Sequence, residues 1–389
     1  MAMLGAMSFL DARRPARRPL IRRLMLRDFR SYESLDARFA ARLVALTGEN
    51  GAGKTNLLEA LSMFSPGRGL RRAESEDCAR QGGIGGFSVS IELETDGHAA
   101  QLGQGYEPGE GRRFRVDRLP VSSARAFADR LQVVWLTPAM DGLFAGPAGD
   151  RRRFLDRLTL GVDPEHGARV SKFEQALRGR NRLLEDAGAN SRWLSAAEQE
   201  IAALGVAVAS ARFETAQRLQ ALIDSTRDKA SLFPHAVVAL QGELETMLAE
   251  LPAIAVEEKY REMLAQSRRR DAAAGRALVG PQTSDLLARH GPKDAPARDC
   301  STGEQKALLV GLVLAQARLL ANLRGIAPLV LLDEIAAHFD AKRREALYDE
   351  LGRLGSQVFM TGADPALFES LAAHAEIFLV TPGRLEARH

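Results

Sequence analysis

The chain has 389 residues, of which 46% are hydrophobic and 26% charged, with a formal net charge of +3. That is ordinary globular composition, long enough for one large domain or two to three smaller ones. Two cysteines, Cys78 and Cys300, exclude a disulfide framework and a metal-ligand spacing, and point to a reducing cytoplasm.

No run of 18 uncharged apolar residues is present, so no membrane span is expected. The N-terminus puts Arg13, Arg14, Arg17 and Arg18 after its apolar start, the wrong order for a secretion signal. Residues 1–19 are therefore expected to be a flexible tail. Residues 20–120 open as an α/β unit. Phe87, Val89, Ile91 and Leu93 alternate with polar residues, the pattern of a half-buried strand. Gly97, Gly103 and Gly105 are expected to break the following strands into a meander. Leu131 to Leu136 predicts a buried strand stopped at Thr137-Pro138.

From about 150 to 270 the pattern turns helical. Ile201, Leu204, Val208 and Ala211 form a stripe that Leu219, Leu222 and Ile223 extend. Two readings stay open: an ordinary helical subdomain whose stripes are core, or a projecting antiparallel arm. After Gly280-Pro281 the α/β pattern returns, with a helix over 303–322, a strand over 329–332, a helix over 341–354, and strands over 357–361 and 377–380. The expected division is a head segment over 20–160, an inserted helical arm over 161–275, and a second head segment over 276–389.

Two phosphate-handling sequences carry the chemistry. Gly48-Glu49-Asn50-Gly51-Ala52-Gly53-Lys54-Thr55 matches the whole G-x-x-x-x-G-K-[ST] pattern of a P-loop, and Asn56 follows it. It sits between the apolar run Leu43 to Leu46 and a helical pattern, the context the motif needs. Its glycines let backbone N–H groups converge on phosphate oxygens, Lys54 reaches the β- and γ-phosphates, and Thr55 places a hydroxyl on Mg²⁺. Leu329 to Leu332 ends in Asp333 and Glu334, where a carboxylate for Mg²⁺ and a base for water are expected. The pair says ATP. Ser301-Thr302-Gly303-Glu304-Gln305 opens a helix, and Ser301 with Glu304 makes an S-x-x-E capping box. Alone that is a well-capped helix; a helix start with Ser and Gly is also an anion site.

The order of P-loop, S-x-G-x-Q helix start, Asp-Glu strand end, then Ala337-His338-Phe339-Asp340 resembles ABC-type ATPases. The resemblance implies an α/β ABC-type ATPase head, a mixed sheet with a P-loop core, carrying an inserted helical arm. It also implies that Ser301, Thr302, Gly303, Glu304 and Gln305 act in trans. They would cap the γ-phosphate held by the P-loop of a second copy, with Asp340 in a D-loop crossing the interface. The helix-filled gap between motifs resembles the SMC-like branch but is far too short for a full coiled coil.

Within that branch the chain resembles the RecF family of bacterial recombination mediators. The segments that carry this are Leu26 to Tyr32, Gly48 to Asn56, Gly67-Arg68-Gly69-Leu70-Arg71, Gly149 to Asp156, Ser301 to Lys306, and Leu331 to Asp340. The resemblance implies a slow Mg²⁺-dependent ATPase that dimerises with ATP on duplex DNA at single-strand gaps. It further implies cooperation with RecR and RecO in loading RecA. Gln282-Thr283-Ser284 stands where the family usually carries His-Arg-Asp, Cys300 where Leu is usual, and Thr361 where transporter ATPases carry His. Candidate phosphate contacts are Arg68, Arg71 and Arg72, then Arg112, Arg113 and Arg115, then Arg268 to Arg270. Solvated surface arginine is the plain alternative for each cluster. Arg151 to Arg153 are read as serving either structure or nucleotide. A transporter's energy-coupling subunit is the competing class, disfavoured by the helical insertion and by Thr361.

Overall fold

The computed structural model describes residues 16–186, 190–227, 232–335 and 339–388. These divide into two compact units, one drawn from 1–135, 317–337 and 347–389, the other from 136–316 and 338–346. The first fifteen residues of the expected tail lie outside the described residues. Arg17 already forms a bridge with Ile326.

The first unit begins with β1 (Leu20–Phe29), β2 (Tyr32–Arg38), β3 (Leu43–Thr47), α1 (Lys54–Ser62) and α2 (Ser75–Cys78). There follow β4 (Phe87–Thr95), β5 (His98–Glu107), β6 (Gly111–Val116), β7 (Leu119–Val121) and β8 (Val133–Leu136). An antiparallel sheet takes the order β2-β1-β4-β5-β6-β7. Two of its hairpins turn on residue pairs with positive φ, Asp96-Gly97 and Asp117-Arg118, the geometry that matches strand twist in two-residue loops. Gly103 and Gly105 do not break the meander as expected; both lie inside β5, paired with Ser90 and Ser88. A Cβ on Gly105 would stand 2.7 Å from the Phe87 carbonyl oxygen, so glycine here answers a close strand approach.

The second unit holds α3 (Ala148–Val162), α4 (His166–Glu185), α5 (Ser191–Ser225), β9 (Ala236–Gln241), α6 (Glu243–Glu250) and α7 (Ala253–Ala274). After them come β10 (Asp285–His290), β11 (Ala295–Pro296) and the start of α8 (Thr302–Arg324). Phe173, Leu177, Ile201, Val208, Val256, Tyr260 and Leu264 share one buried core, so the helical stripes pack as ordinary core. Helix α5 runs 35 residues, about 52 Å at 1.5 Å per residue. Within this core Arg180 is fully buried between Glu198 (3.1 Å) and Asp271 (2.7 Å), and Arg268 pairs with Glu198 at 2.6 Å. Two cations against two carboxylates leave the buried set neutral, as burial demands. Within the block whose pattern turns helical over about 150–270 lies a strand the sequence reading does not anticipate: β9 pairs antiparallel with β10, which pairs with β11.

The remaining elements are β12 (Leu329–Leu332), α9 (Ala341–Leu354), β13 (Val358–Gly362), β14 (Ala375–Thr381) and β15 (Arg384–Arg388). The second sheet of the first unit has the order β15-β14-β3-β13-β12-β8. β3 runs parallel to both β13 and β14. Its central strands are continuous apolar runs, the composition of a sheet covered on both faces. The closing strand β15 is not anticipated by the sequence reading. Helix α8 alone among the described helices is long and apolar enough to cross a membrane, and 72% of its apolar window is buried in the fold, as in a core helix.

Candidate active site

The P-loop leaves β3 at Thr47 and enters α1 at Lys54. Gly48 has φ 139°, and a Cβ there would lie 2.3 Å from the Val380 carbonyl oxygen. Gly53 has φ 109°, and a Cβ would meet Ser31 Oγ at 2.8 Å and Tyr32 Oη at 2.9 Å. Only glycine satisfies both the left-handed backbone and the missing space. The β1–β2 turn thus braces the loop: the Tyr32 hydroxyl donates to the Gly53 carbonyl at 3.2 Å, and Asn56 Nδ2 donates to Ser31 Oγ at 2.9 Å.

Lys54 is buried and donates from Nζ to the carbonyls of Gly48 (2.5 Å) and Glu49 (2.8 Å). Burial holds its ammonium below the ordinary lysine range, and the carboxylates of Glu334 and Asp333 partly offset that. The Thr55 hydroxyl bonds both Asp333 oxygens, at 3.0 and 3.1 Å. Thr361, fully buried at the end of β13, donates to Asp333 Oδ1 at 2.8 Å and accepts the Glu334 N–H at 2.8 Å. Glu334 sits at φ 52°, a left-handed conformation that a non-glycine residue keeps only when its surroundings fix it.

These atoms fit a hard divalent cation. Thr55 Oγ1 and the Asp333 carboxylate are oxygen donors in mutual contact beside the P-loop, and Mg²⁺ takes one or two protein oxygens and completes its shell with phosphate and water. Among the described residues no cluster of three or more His, Cys, Asp or Glu side chains forms a metal site.

Helix α1 carries a feature the motif does not specify. Glu59 is 1% exposed. Arg30 grips it through two hydrogen bonds, at 2.8 and 2.6 Å, and Arg71 reaches it at 2.7 Å. Arg71 also donates to Asn56 Oδ1 at 2.7 Å. The signal was present in the sequence: an acid among Leu57, Leu58 and Leu61 must find a cation if the helix is buried.

The signature-type segment belongs to the second unit, and its capping box is formed. Ser301 N–H donates to Glu304 Oε2 at 3.1 Å, and Glu304 N–H donates to Ser301 Oγ at 3.4 Å. Gln305 Nε2 donates to the Cys300 carbonyl at 2.9 Å. Thr302 is exposed, and the nearest atom to a Cβ on Gly303 would be Arg343 Nη1 at 4.0 Å. Asp340 Oδ1 accepts the Arg343 N–H at 2.9 Å, capping α9. Ala337 and His338 lie outside the described residues.

The candidate arginines separate by partner. Arg68 pairs with Glu74, and Arg71 is committed to Glu59 and Asn56. Arg112 is turned inward: it donates to Gln104 Oε1 (2.6 Å) and the Gly67 carbonyl (3.2 Å) and lies 4.9 Å over the Phe114 ring. Burial pushes its guanidinium below the ordinary range. Arg113 pairs with Glu107 and Glu110. The side chains of Arg72 and Arg115 are exposed and make no ion pair among the described residues. Arg113 and Arg115 border a trough of about 280 Å³ over Ser88, Ser90, Gly103 and Gly105. In the second unit Arg268 is held by Glu198, while Arg269 and Arg270 are exposed. Arg151 makes a two-bond pair with Asp285 at 2.7 and 2.8 Å, a structural use. Gln282, Thr283 and Ser284 bond the Val279 carbonyl, the Gly280 carbonyl and Glu245 within the same unit.

A P-loop leaving β3, Asp-Glu closing the parallel strand β12 one strand away across β13, and an antiparallel sheet in the same unit define an ABC-type ATPase head. The RecF/RecN/SMC N-terminal domain model matches residues 20–386. The DNA replication and repair protein RecF of Mesorhizobium japonicum is 52% identical over 366 residues, covering 93% of this chain and 96% of that protein. On these grounds the chain belongs to the RecF family of SMC-like ABC-type ATPases. The fold is also similar to the recombination mediator RecF of the RecFOR pathway, solved with ATPrS. That match has TM-score 0.86 and 19% identity over 97% of this chain and all of that one. A Pyrococcus furiosus Smc head shares the fold more distantly, with TM-score 0.52 and 16% identity over 95% of this chain and 96% of that one.

Proposed function

We propose that this protein is a slow Mg²⁺-dependent ATPase that works in the cytoplasm on duplex DNA at single-strand gaps. ATP joins two heads, hydrolysis releases them, and the cycle helps RecO and RecR load RecA. The observation that carries the reading is the hydrogen-bonded set Thr55–Asp333–Thr361 beside Lys54, at 2.8 to 3.1 Å.

In this reading Lys54 exchanges its Gly48 and Glu49 carbonyl partners for the β- and γ-phosphates. The N–H groups of Gly51, Ala52 and Gly53 cradle phosphate oxygens, helped by the positive end of α1. Glu49, Asn50 and Asn56 shape the loop and its exit. Thr55 and Asp333 would hold Mg²⁺, which would supply charge neutralisation to the phosphates. Glu334 orients and deprotonates the attacking water, its backbone fixed by Thr361. Ser301 and Gly303 meet the γ-phosphate held by a second copy, with Thr302, Glu304 and Gln305 shaping that helix end. Asp340 stands at the entrance of α9 facing the same interface. Exposed arginines such as Arg72 and Arg115 hold DNA through phosphates, with little base preference.

Sizing a Glu334→Gln protein with ATP and gapped duplex tests the reading. A long-lived dimer on DNA, absent without ATP, is expected. Turnover and association equal to the parent's would remove Glu334 from the role of base.

A further inference from the structure

The start of α8 carries a charge arrangement that no motif describes. The Glu304 carboxylate caps the Ser301 N–H and also pairs with Lys293 Nζ at 2.5 Å. Lys293 ends the short turn Gly291–Lys293 that follows β10, nine residues before α8 begins at Thr302. That turn is anchored, since the Lys293 N–H donates to His290 Nδ1 at 3.3 Å. Lys293 and the Ser301 N–H hold the Glu304 carboxyl at about 2, so it is ionised at any working pH. Arg343 also stands at this entrance, its Nη1 4.0 Å from where a Cβ on Gly303 would lie and its Nε 4.0 Å from Asp340.

An exposed pair of this kind adds little to folding; the Lys293 side chain is 55% exposed. Its larger effect is on potential. A helix start attracts anions through about half a positive charge. A bare carboxylate in the same turn reverses that attraction. Two unit charges about 5 Å apart, at an effective dielectric near 20, repel enough to weaken binding roughly a hundredfold before salt screening.

We infer that Lys293 is a positioning residue for nucleotide-driven association: by neutralising Glu304 it leaves the α8 entrance net positive toward the triphosphate carried by a second copy. The inference rests on the trans reading of Ser301 given above.

The test uses the full chain, with ATP-dependent dimerisation followed by sedimentation at fixed Mg²⁺. Lys293→Ala should raise the ATP concentration needed for half-dimerisation about tenfold or more, with only a small fall in melting temperature and the nucleotide affinity of the monomer unchanged. Lys293→Arg should retain association. In a Glu304→Gln background, which keeps a cap for the Ser301 N–H but removes the charge, adding Lys293→Ala should change dimerisation less than twofold. Parent-like dimerisation by Lys293→Ala overturns the inference. So does a defect that persists in the Glu304→Gln background, which would mean that lysine packing and not charge matters. If the parent itself never dimerises with ATP, the trans reading falls and takes the inference with it.

Discussion

Thr361 and Asp333 are joined by a buried hydrogen bond of 2.8 Å, and the same hydroxyl accepts the N–H of Glu334. One side chain at the end of β13 therefore fixes both members of the Asp-Glu pair, the first through its carboxylate and the second through its backbone. Where transporter ATPases place a histidine, this chain places a hydroxyl that braces the end of β12.

Replacing that hydroxyl by an isosteric methyl separates its roles. Thr361→Val leaves the Glu334 N–H without its acceptor and should cost about 1–3 kcal/mol in urea unfolding. ATP turnover should fall about tenfold or more, because Glu334 then lacks the anchor for its left-handed backbone. Thr361→Ser keeps the hydroxyl and should stay within about 1 kcal/mol of the parent.

Arg71 and Arg115 should behave differently although both stand in arginine clusters that the sequence offers as candidate phosphate contacts. Arg71→Ala breaks a clamp on an acid that is 1% exposed. It should lower stability by about 1–2 kcal/mol, less than complete loss of a buried pair because Arg30 remains. Arg115→Ala should leave unfolding unchanged and reduce the salt slope of duplex binding by about one. The pair of unfolding curves and salt titrations distinguishes structural from DNA-facing arginine.

Local signals made the P-loop and the Asp-Glu strand end readable, and non-local ones hid the contacts that brace them. The P-loop and the Asp-Glu strand end are contiguous, so their residues and elements were legible to within a residue or two. Thr361 lies 28 residues from Asp333, and nothing in its own neighbourhood announces that bond. The strand β9 is six residues long, sits between helices, and takes its partner β10 from beyond α7. Its sequence Ala-Val-Val-Ala-Leu-Gln is an apolar run without polar alternation, so it does not stand out from the helical periodicity around it. Gly103 and Gly105 looked like breakers because glycine usually is one; the sheet uses them for close approach.

Gly205 tests how tightly the helical core is built. On an open helix face, alanine for glycine gains about 1 kcal/mol. Here a Cβ would stand 2.7 Å from a Tyr260 ring carbon and 3.0 Å from one of Phe173, both buried. Overpacking costs about 1–3 kcal/mol. Gly205→Ala should therefore lower the melting temperature, whereas a gain would mean the rings yield freely.

The Lys293–Glu304 pair sets a pH dependence whose sign is fixed. Glu304 has a folded value of about 2, below its ordinary range. The folded chain then binds fewer protons than the unfolded one, so the contribution is complete above about pH 4.5 and fades as pH falls toward 2. The melting temperature of the parent minus that of Glu304→Gln should shrink between pH 5 and 3. High salt should flatten the difference, since the pair is exposed.

The central claim is that one triphosphate joins the Lys54 pocket of one copy to the Ser301 helix end of another. Mixing two inactive proteins, Lys54→Ala and Ser301→Arg, tests it most directly. Each alone should stay monomeric with ATP. Their mixture contains one intact composite site, built from Lys54 of one and Ser301 of the other, and should form an ATP-dependent heterodimer with partial turnover. A mixture as monomeric and inactive as its components would contradict the account.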